Sequence, residues 1–441
     1  MLNIQMMAVA ALKPNAGNAR THSKKQMRQI ADSIQAFGFL VPILIDENRL
    51  IIAGYGRYQA ARLLGIETVP VIEVTGLSET KRRALALADN KIAENAGWDR
   101  ERLAIELPEL SELLVLDGLD ISVTGFAAVE IDQLAVDFDE DAREDKLDPA
   151  WADAEVVTKA GDLWQLGSHR LLCGDARTND DLARLMDGSR ASMAFLDPPY
   201  NVRVRDIVGR GRVQHPEFVM ASGELSSDGF VTFLRDTLTQ AAEVSKDGAV
   251  HYICMDWRHI GDLIAAGSDV YAAMLNLVAW VKTNAGQGSF YRSQHELIGV
   301  FRVGTEPHLN NVELGRHGRS RSNVWHYAGV NAFRAGRLDD LKAHPTVKPV
   351  ALVAEAMKDV TRRGDVVLDT FGGSGTTLLA AERVGRKAYV LELEPRFVDV
   401  AIRRWQAFTK RDVIHEETGL SFEDIATRRA VPAQAARIHA Q

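Results

Sequence analysis

The sequence is poor in the residues that build metal centres and disulfides. It has only two cysteines among 441 residues, and both Cys173 and Cys254 lie in apolar, strand-like runs. A cysteine in such a run is usually a buried small hydrophobe rather than a metal ligand or half of a disulfide. No cysteine and histidine residues have the spacing of a zinc site. We therefore predict no metal centre and no disulfide.

The sequence also lacks a long hydrophobic run and an excess of positive charge. No apolar stretch approaches the roughly 20 residues that span a bilayer, so we predict no membrane segment and a cytoplasmic location. The net charge of −8 by itself argues against contact with nucleic acid. The acidity is local, however, because residues 1–100 carry +4, residues 101–160 carry −13 and the remainder carries +1. The middle block predicts a solvated linker, with a domain boundary near residue 150.

A short acidic motif stands at the end of an apolar run. Residues 192–196 form the run and lead directly into Asp197-Pro198-Pro199-Tyr200. The run is typical of a strand that is buried on both faces, and the two prolines end its hydrogen-bond ladder. Since ligands of open α/β sheets bind at the carboxyl ends of the strands, the motif predicts an active site. Taken alone, it is equally consistent with a turn, because Asp and Pro are common turn residues.

A glycine-rich loop follows a second apolar run, residues 366–368. It reads Asp369-Thr370-Phe371-Gly372-Gly373-Ser374-Gly375, and a helix is predicted from Thr376. Glycines let the backbone approach a ligand closely, and the start of the helix offers free N–H groups. Glu392 ends the next predicted strand, 17 positions after Gly375, near the spacing at which dinucleotide-binding folds place a ribose-binding acid. No phosphate-gripping lysine follows the glycines, so a kinase-type loop is not predicted.

Helical and strand-like patterns alternate between the two motifs. Helices are predicted at residues 228–244 and 257–266, and strands at 249–255, 274–281 and 297–303. This alternation predicts a doubly wound α/β sheet, with the last two strands as an antiparallel pair at its edge. Residues 304–345 break the pattern, because they are rich in Arg, His, Asn and Gly with interspersed aromatic residues. Long loops usually have a function, so we interpret this region as a target-recognition insert.

The order of these motifs resembles that of the DNA amino-methyltransferases. Asp197-Pro198-Pro199-Tyr200 comes first, His344-Pro345-Thr346-Val347-Lys348-Pro349 second and the glycine loop last, which is similar to the permuted, adenine-specific class. The resemblance covers residues 161–408 and implies a Rossmann-like sheet of the S-adenosylmethionine-dependent methyltransferases. It also implies that double-stranded DNA is the partner and that the protein takes part in restriction-modification. It implies catalytic roles for Asp197, Pro198, Pro199 and Tyr200. The cofactor-binding residues that it implies are Asp175, Lys348, Asp369, Phe371, Gly373, Gly375, Thr376 and Glu392.

The chemistry of this family explains the residue types. An exocyclic amine is a poor nucleophile, because its lone pair is delocalised into the base. Asp197 and the Pro198 carbonyl can each accept an amino hydrogen, which localises the lone pair, and Tyr200 offers a ring on which a flipped base stacks. We predict methylation of adenine N6; cytosine N4 methylation uses the same geometry, more often with Ser in place of Asp197. Methylation of the cytosine ring carbon needs a cysteine after a proline and is excluded, since Leu172 and Ile253 precede the two cysteines.

Two groups of arginines are predicted to contact DNA. After Tyr200, a glycine-punctuated loop carries four arginines against one acid, a composition that suits contact with phosphates. The recognition insert is also basic, and the alternative for both segments is an ordinary solvated loop. The predicted DNA-binding residues are Arg203, Arg205, Arg210, Arg212, Arg316, Arg319 and Arg321.

The first hundred residues resemble the N-terminal domain of the ParB family of DNA-partition proteins. A predicted helix at 22–37, two short strands at 42–45 and 50–52, and a turn and helix at 54–65 carry the resemblance, which implies a small α+β domain. The family's nucleotide-binding box has two adjacent arginines, whereas here Gly56 precedes Arg57, so the sequence leaves open whether this domain binds a nucleotide. Sulfiredoxins share the fold, but their chemistry needs a cysteine, and none occurs before Cys173.

These observations divide the chain into domains. We predict a ParB-like domain at 1–100, a helical and acidic linker at 101–160 whose helices pack on that domain, a methyltransferase domain at 161–415 with its insert at about 304–345, and a C-terminal tail at 416–441. A DNA-binding protein with a vestigial methyltransferase fold is the alternative from a different functional class. The sequence leaves open whether the chain forms a homodimer.

Overall fold

The computed structural model divides the chain into two compact units, Met1–Val136 and Asp137–Gln441. Among the described residues, no helix has the length and apolarity needed to cross a bilayer. The structure describes residues 3–438, with side chains to 430, except 16, 18–19, 96, 99–102, 104–105, 108–109, 112, 115, 127–129, 132–147, 149, 152–153, 203–222, 284, 286–289, 313, 315–320 and 330–346.

The first unit is a small α+β domain, as predicted. Its sheet has the order β1-β4-β2-β3, and its apolar core lies between this sheet and the second helix. The predicted helix, paired strands and turn-helix are confirmed to within two residues. The strands are β1 (Ile4–Ala8), β2 (Ile43–Ile45), β3 (Ile51–Ala53) and β4 (Thr68–Glu73), and the helices are α1 (Lys24–Phe37), α2 (Tyr55–Leu63) and α3 (Glu79–Glu94).

Packing explains why residue 56 is a glycine. A Cβ atom at this position would lie 2.9 Å from Ile30 Cδ1 and 3.1 Å from His22 Cε1, so glycine allows these two side chains to pack against the start of α2. The neighbouring Arg57 donates from Nη2 to the Pro42 carbonyl at 3.3 Å, and burial lowers the pKa of its guanidinium. A larger residue in place of Gly56 requires the side chains of Ile30 and His22 to move.

The first unit extends further than the predicted domain. The described residues between 103 and 116 are helical and are followed by a 3-10 turn, Ile121–Thr124. Leu107, Leu114 and Ile121 belong to a buried cluster against which Ala36 of α1 packs. The first part of the predicted linker is therefore folded onto this domain, as its helices were expected to be, while the acidic run at 137–145 lies outside the described residues.

The second unit is a three-layer α/β domain built on a ten-stranded sheet, which confirms the predicted fold class. The sheet order is β11-β9-β10-β8-β7-β12-β13-β6-β5-β14. The strands are β5 (Leu163–Leu166), β6 (His169–Cys173), β7 (Ala191–Leu196), β8 (Ser245–Met255), β9 (Ala273–Val281), β10 (His295–Arg302), β11 (Val324–His326), β12 (Val366–Asp369), β13 (Lys387–Glu392) and β14 (Ile414–His415). The helices are α4 (Asn179–Met186), α5 (Ser227–Glu243), α6 (Ile260–Val270), α7 (Val350–Val360), α8 (Thr376–Val384), α9 (Pro395–Thr409) and α10 (Phe422–Ile438).

Five central strands, β8, β7, β12, β13 and β6, run parallel. Along β7, Met193 and Phe195 enter one core cluster and Ala194 and Leu196 enter the other, so the strand is buried on both faces as predicted. The chain leaves β7 towards β8 and leaves β12 towards β13, in opposite directions along the sheet. This reversal between β7 and β12 is a topological switch point, where open α/β sheets form their ligand crevice.

Two predictions about the rim of this sheet need correction. The pair of β9 and β10 is antiparallel as expected, but β11 pairs parallel to β9 and lies outside it, within the region predicted as a recognition insert. The predicted tail at 416–441 needs correction in its described part, because Phe422 and Ile425 of α10 are buried in the core. Arg429 of the same helix donates to the Val157 carbonyl and pairs with Asp162.

Replacing Phe422 with Ala tests whether α10 belongs to the folded core. Phe422 is 1% exposed and its ring lies 5.3 Å from that of Trp164, so truncation leaves a cavity. We expect Phe422→Ala to destabilise the second unit by about 3 to 5 kcal/mol in urea unfolding followed by tryptophan fluorescence. The matched control is Phe408→Ala, because Phe408 is 39% exposed on α9. Equal unfolding midpoints for the two variants would contradict the assignment.

Candidate active site

Four carboxylates stand at the ends of four neighbouring parallel strands. In the order of the sheet they belong to Asp175 after β6, Glu392 at the end of β13, Asp369 at the end of β12, and Asp197 directly after β7. All four acids were predicted, because each follows an apolar run. Parallel strands bring their carboxyl ends to one edge, so acids that are far apart in sequence line one crevice.

Asp197 has both carboxylate oxygens engaged. Its Oδ1 accepts a hydrogen bond from the Tyr200 hydroxyl at 2.7 Å, and its Oδ2 accepts one from the Lys348 ammonium at 2.7 Å. Pro198 and Pro199 lie between the two members of the motif and end β7, which turns Tyr200 back towards the acid. Burial, together with the charges of Asp197 and Glu296, raises the pKa of Tyr200, so its hydroxyl keeps the proton that it donates.

Lys348 is the centre of a row of alternating charges, Lys282, Glu296, Lys348 and Asp197, which we call the charge row. Lys348 Nζ lies 3.2 Å from Glu296 Oε2, and Lys282 Nζ lies 2.5 Å from Glu296 Oε1. Burial would lower the pKa of Lys348, but Asp197 and Glu296 outweigh it and hold that pKa above its usual value. Burial would raise the pKa of Glu296, but Lys348 and Lys282 lower it to about 2. Lys348 and Glu296 therefore both stay charged at neutral pH.

The charge row changes the interpretation of Lys348. We expected its side chain to hold the cofactor, whereas its ammonium contacts the Asp197 motif, and only its carbonyl reaches the glycine loop, where Thr376 Oγ1 lies 3.4 Å away. Sequence analysis missed Glu296 and Lys282 altogether. The available signal was a charged residue beside the adjoining ends of two largely apolar predicted strands, since Lys282 directly follows the strand predicted at 274–281 and Glu296 directly precedes the one predicted at 297–303.

The glycine loop is held between Asp369 and Glu392. The Phe371 N–H donates to Asp369 Oδ1 at 2.9 Å, and the Thr377 hydroxyl donates to Asp369 Oδ2 at 2.6 Å. The Gly373 N–H donates to Glu392 at 2.7 Å. Burial raises the pKa of both acids, that of Asp369 to about 7. The loop is thereby fixed against two adjacent strand ends.

Gly375 explains why this loop needs glycine. Its φ is +81°, and a Cβ atom there would lie 2.7 Å from Ala401 Cβ, so the turn into α8 packs directly on α9. Asp175 completes the same edge on the far side of Glu392, because the Gly174 N–H donates to the Glu392 carbonyl at 3.0 Å. A hydrogen bond from Arg177 lowers the pKa of Asp175. The predicted cofactor-binding residues other than Lys348 thus adjoin one another along three strand ends.

The predicted DNA-binding arginines have different outcomes. Six of them, Arg203, Arg205, Arg210, Arg212, Arg316 and Arg319, lie outside the described residues. The seventh, Arg321, is bound within the fold: its Nε lies 2.9 Å from Asp359 Oδ2 and its Nη1 lies 3.2 Å from Glu355 Oε2 on α7. The same guanidinium lies 4.7 Å from the centre of the Trp325 ring. Arg321 therefore links β11 to α7. The prediction that Arg321 contacts DNA is corrected accordingly.

Family models match two parts of the chain. Residues 191–403 match a model described as DNA methylase, of the N6/N4 type, and residues 1–91 match the ParB N-terminal domain. The ParB-like nuclease domain-containing protein YnaK of Escherichia coli K12 is 45% identical over 82 residues, 19% of this chain and 94% of that protein. The type II methyltransferase M2.MboI of Moraxella bovis is 24% identical over 241 residues, 52% of this chain and 85% of that protein.

A solved structure, the complex of M1.HpyAVI with SAM, is 18% identical and has a TM-score of 0.40, over 53% of this chain and 97% of that one. The family matches fall where the sequence predicted them, since the methylase match contains the Asp197 motif and the glycine loop, and the ParB match contains β1 to β4. This chain carries a ParB N-terminal domain followed by a DNA methylase domain of the N6/N4 family.

Proposed function

We propose that this DNA methyltransferase acts on the N6 amine of adenine in double-stranded DNA. The observation that carries the proposal is the geometry of Asp197, an anionic acceptor at the switch point of the sheet, held by a buried ammonium at 2.7 Å. A carboxylate accepts hydrogen bonds from an amine more strongly than the serine that is common in enzymes acting on cytosine N4.

S-adenosylmethionine is the cofactor, and the strand ends beside Asp197 fit it. Glu392 and Asp175 present carboxylates that would accept hydrogen bonds from its hydroxyl and amino groups, and the glycine loop exposes main chain to it. The Thr370 hydroxyl is buried and has no hydrogen-bond partner among the described residues, as expected of a group that a ligand completes. When bound, the cofactor supplies an electrophilic methyl group.

Asp197 would act on the target base in two ways. Each carboxylate oxygen has two acceptor positions, so Asp197 can accept an amino hydrogen while Lys348 still holds it. The second amino hydrogen would be accepted by the Pro198 carbonyl, and the lone pair is then localised on nitrogen. A methylated, cationic amine is a strong acid, so Asp197 is also placed to receive the proton that the amine releases.

The proposal also gives roles to Tyr200 and to the arginines that were predicted to contact DNA. The target nitrogen is not accessible within the duplex, so the base is flipped out, and the Tyr200 ring offers a stacking face. The arginines between 203 and 212, with Arg316 and Arg319, would contact phosphates, and the ParB-like domain would add affinity for long DNA. A place in restriction-modification remains part of this proposal.

The test of the proposal is the identity of the methylated nucleoside. Purified protein is incubated with labelled S-adenosylmethionine and unmethylated duplex DNA, which is then digested to nucleosides and separated. We expect label in N6-methyldeoxyadenosine, and at least a roughly 100-fold loss of label with Asp197→Asn, since its amide is a weaker acceptor for the amine. Label confined to N4-methyldeoxycytidine would overturn the adenine assignment. Cofactor binding without label in either product would indicate a vestigial fold.

Replacing Glu296 with Gln tests the role of the charge row. The pKa of Lys348 lies above its ordinary 10.5, so its charged form is present below that pH and is lost only as the pH rises through the folded value. In the Glu296→Gln variant, Lys348 has lost one of its two anionic partners, so burial lowers the pKa of Lys348. We therefore expect the alkaline limb of the kcat profile to move to lower pH in Glu296→Gln.

The matched control is Glu355→Gln, which changes a carboxylate that pairs with Arg321 and Lys358 outside the charge row. This variant should keep the shape of the wild-type profile. If Glu296→Gln lowers kcat equally at every pH, Glu296 supports the fold and does not set the charge of Lys348.

A further inference from the structure

We propose that Phe290 and Tyr291 stack on DNA bases that lose their neighbour when the target base is flipped out. The inference rests on the proposed function and assigns these two residues, which precede β10, to the bases beside the flipped target. The proposal is carried by three observations: the exposure of the two rings, their place on the sheet and the residues around them.

The two rings form an exposed aromatic pair. Phe290 is 86% exposed and Tyr291 is 81% exposed, and their ring centroids lie 4.3 Å apart. Exposed aromatic groups that adjoin a crevice are typical of binding surfaces, whereas isolated exposed apolar side chains need no explanation. Two adjacent rings with free faces suit planar ligands, and nucleobases present a π-face whatever their sequence.

The topology places this pair at the active-site edge. β10 runs antiparallel to β8, and Leu297 lies beside Met255, the last residue of β8. Since β8 runs parallel to β7, the start of β10 lies at the edge that carries Asp197. Tyr291 is five residues before Glu296 of the charge row, so the chain length places it within about 18 Å of that carboxylate. A separation of about 18 Å equals the height of only a few stacked base pairs.

The surroundings of the pair favour nucleic acid over an apolar protein surface. Trp257 follows β8 at the same edge and is 54% exposed, with the Arg258 guanidinium 4.9 Å from the centre of its ring. Arg292 follows Tyr291 directly. Aromatic rings interleaved with arginine and lysine are typical of surfaces that stack bases and attract phosphates.

Stacking on the two rings would offset part of the free-energy cost of base flipping. When a base is flipped out of the duplex, its pairing and its stacking on both neighbours are lost. Stacking of a base on an aromatic side chain is favourable, so two rings can offset much of the cost of flipping. Tyr200 would hold the flipped base, while Phe290 and Tyr291 would cover the bases that remain in the duplex.

The test combines methylation with a binding preference. The variant Phe290→Ala/Tyr291→Ala should methylate long, unmethylated duplex DNA about 10- to 100-fold more slowly in single turnover. A labelled duplex with a central abasic site is already unstacked, so the wild-type protein should bind it more tightly than the intact duplex. The double variant should lose this preference while its affinity for S-adenosylmethionine stays unchanged.

Two controls separate stacking from apolar packing. Phe290→Trp/Tyr291→Phe keeps two rings and should retain both the rate and the preference for the abasic duplex. Phe290→Leu/Tyr291→Leu keeps apolar groups without rings and should behave like the alanine variant. Phe408→Ala, which removes another exposed ring on α9, should change neither property.

The outcomes distinguish this inference from the proposed function. If wild-type protein methylates DNA and the leucine variant does so equally fast, the stacking role is overturned and the proposed function stands. If sedimentation shows that the alanine variant loses a self-association of the wild-type protein without losing the abasic preference, the pair covers a second copy of the chain instead. If the wild-type protein transfers no methyl group, the proposed function fails, and the abasic preference still decides the inference.

Discussion

The active site depends on one buried ammonium held between two carboxylates. Lys348 Nζ lies 2.7 Å from Asp197 and 3.2 Å from Glu296, and its side chain is only 6% exposed. A buried charge without a partner of opposite sign destabilises the fold, whereas neighbouring charges of alternating sign compensate one another. Removal of one partner leaves an uncompensated buried charge, which typically costs about 3–5 kcal/mol. The Asp-Pro-Pro-Tyr motif and the segment that contains Lys348 therefore act as one unit, although 151 residues separate the two charges.

The sheet brings these distant segments together, and most of it could be predicted from the sequence. The runs before Asp197 and Asp369 and the run that ends at Glu392 are apolar because the central strands are buried on both faces, and that signal is local. Their acids could be assigned to an active site because parallel strands end at a common edge. The glycine loop before α8 could also be predicted locally, and the positive φ of Gly375 shows why glycine stands at its end.

Other features depend on contacts that a local pattern does not contain. Glu296 and Lys282 meet because β9 and β10 pair in one register, and register is set by packing across strands. Arg321 looked like a DNA contact because it lies in a basic segment, yet Asp359 and Glu355 of α7 bind it. The three residues of β11 are too few to show alternation, and the buried residues Phe422 and Ile425 are too few to predict that α10 packs in the core.

The most direct measurement is the rate of methyl transfer in Lys348→Met, compared in single turnover with the wild-type protein at saturating S-adenosylmethionine. Methionine keeps the length and apolar stem of lysine but removes the charge that holds Asp197. We expect methyl transfer to slow by at least about 100-fold while affinity for S-adenosylmethionine is unchanged. A variant that loses affinity for the cofactor but transfers methyl at the wild-type rate once saturated would contradict it, because Lys348 would then be a cofactor ligand.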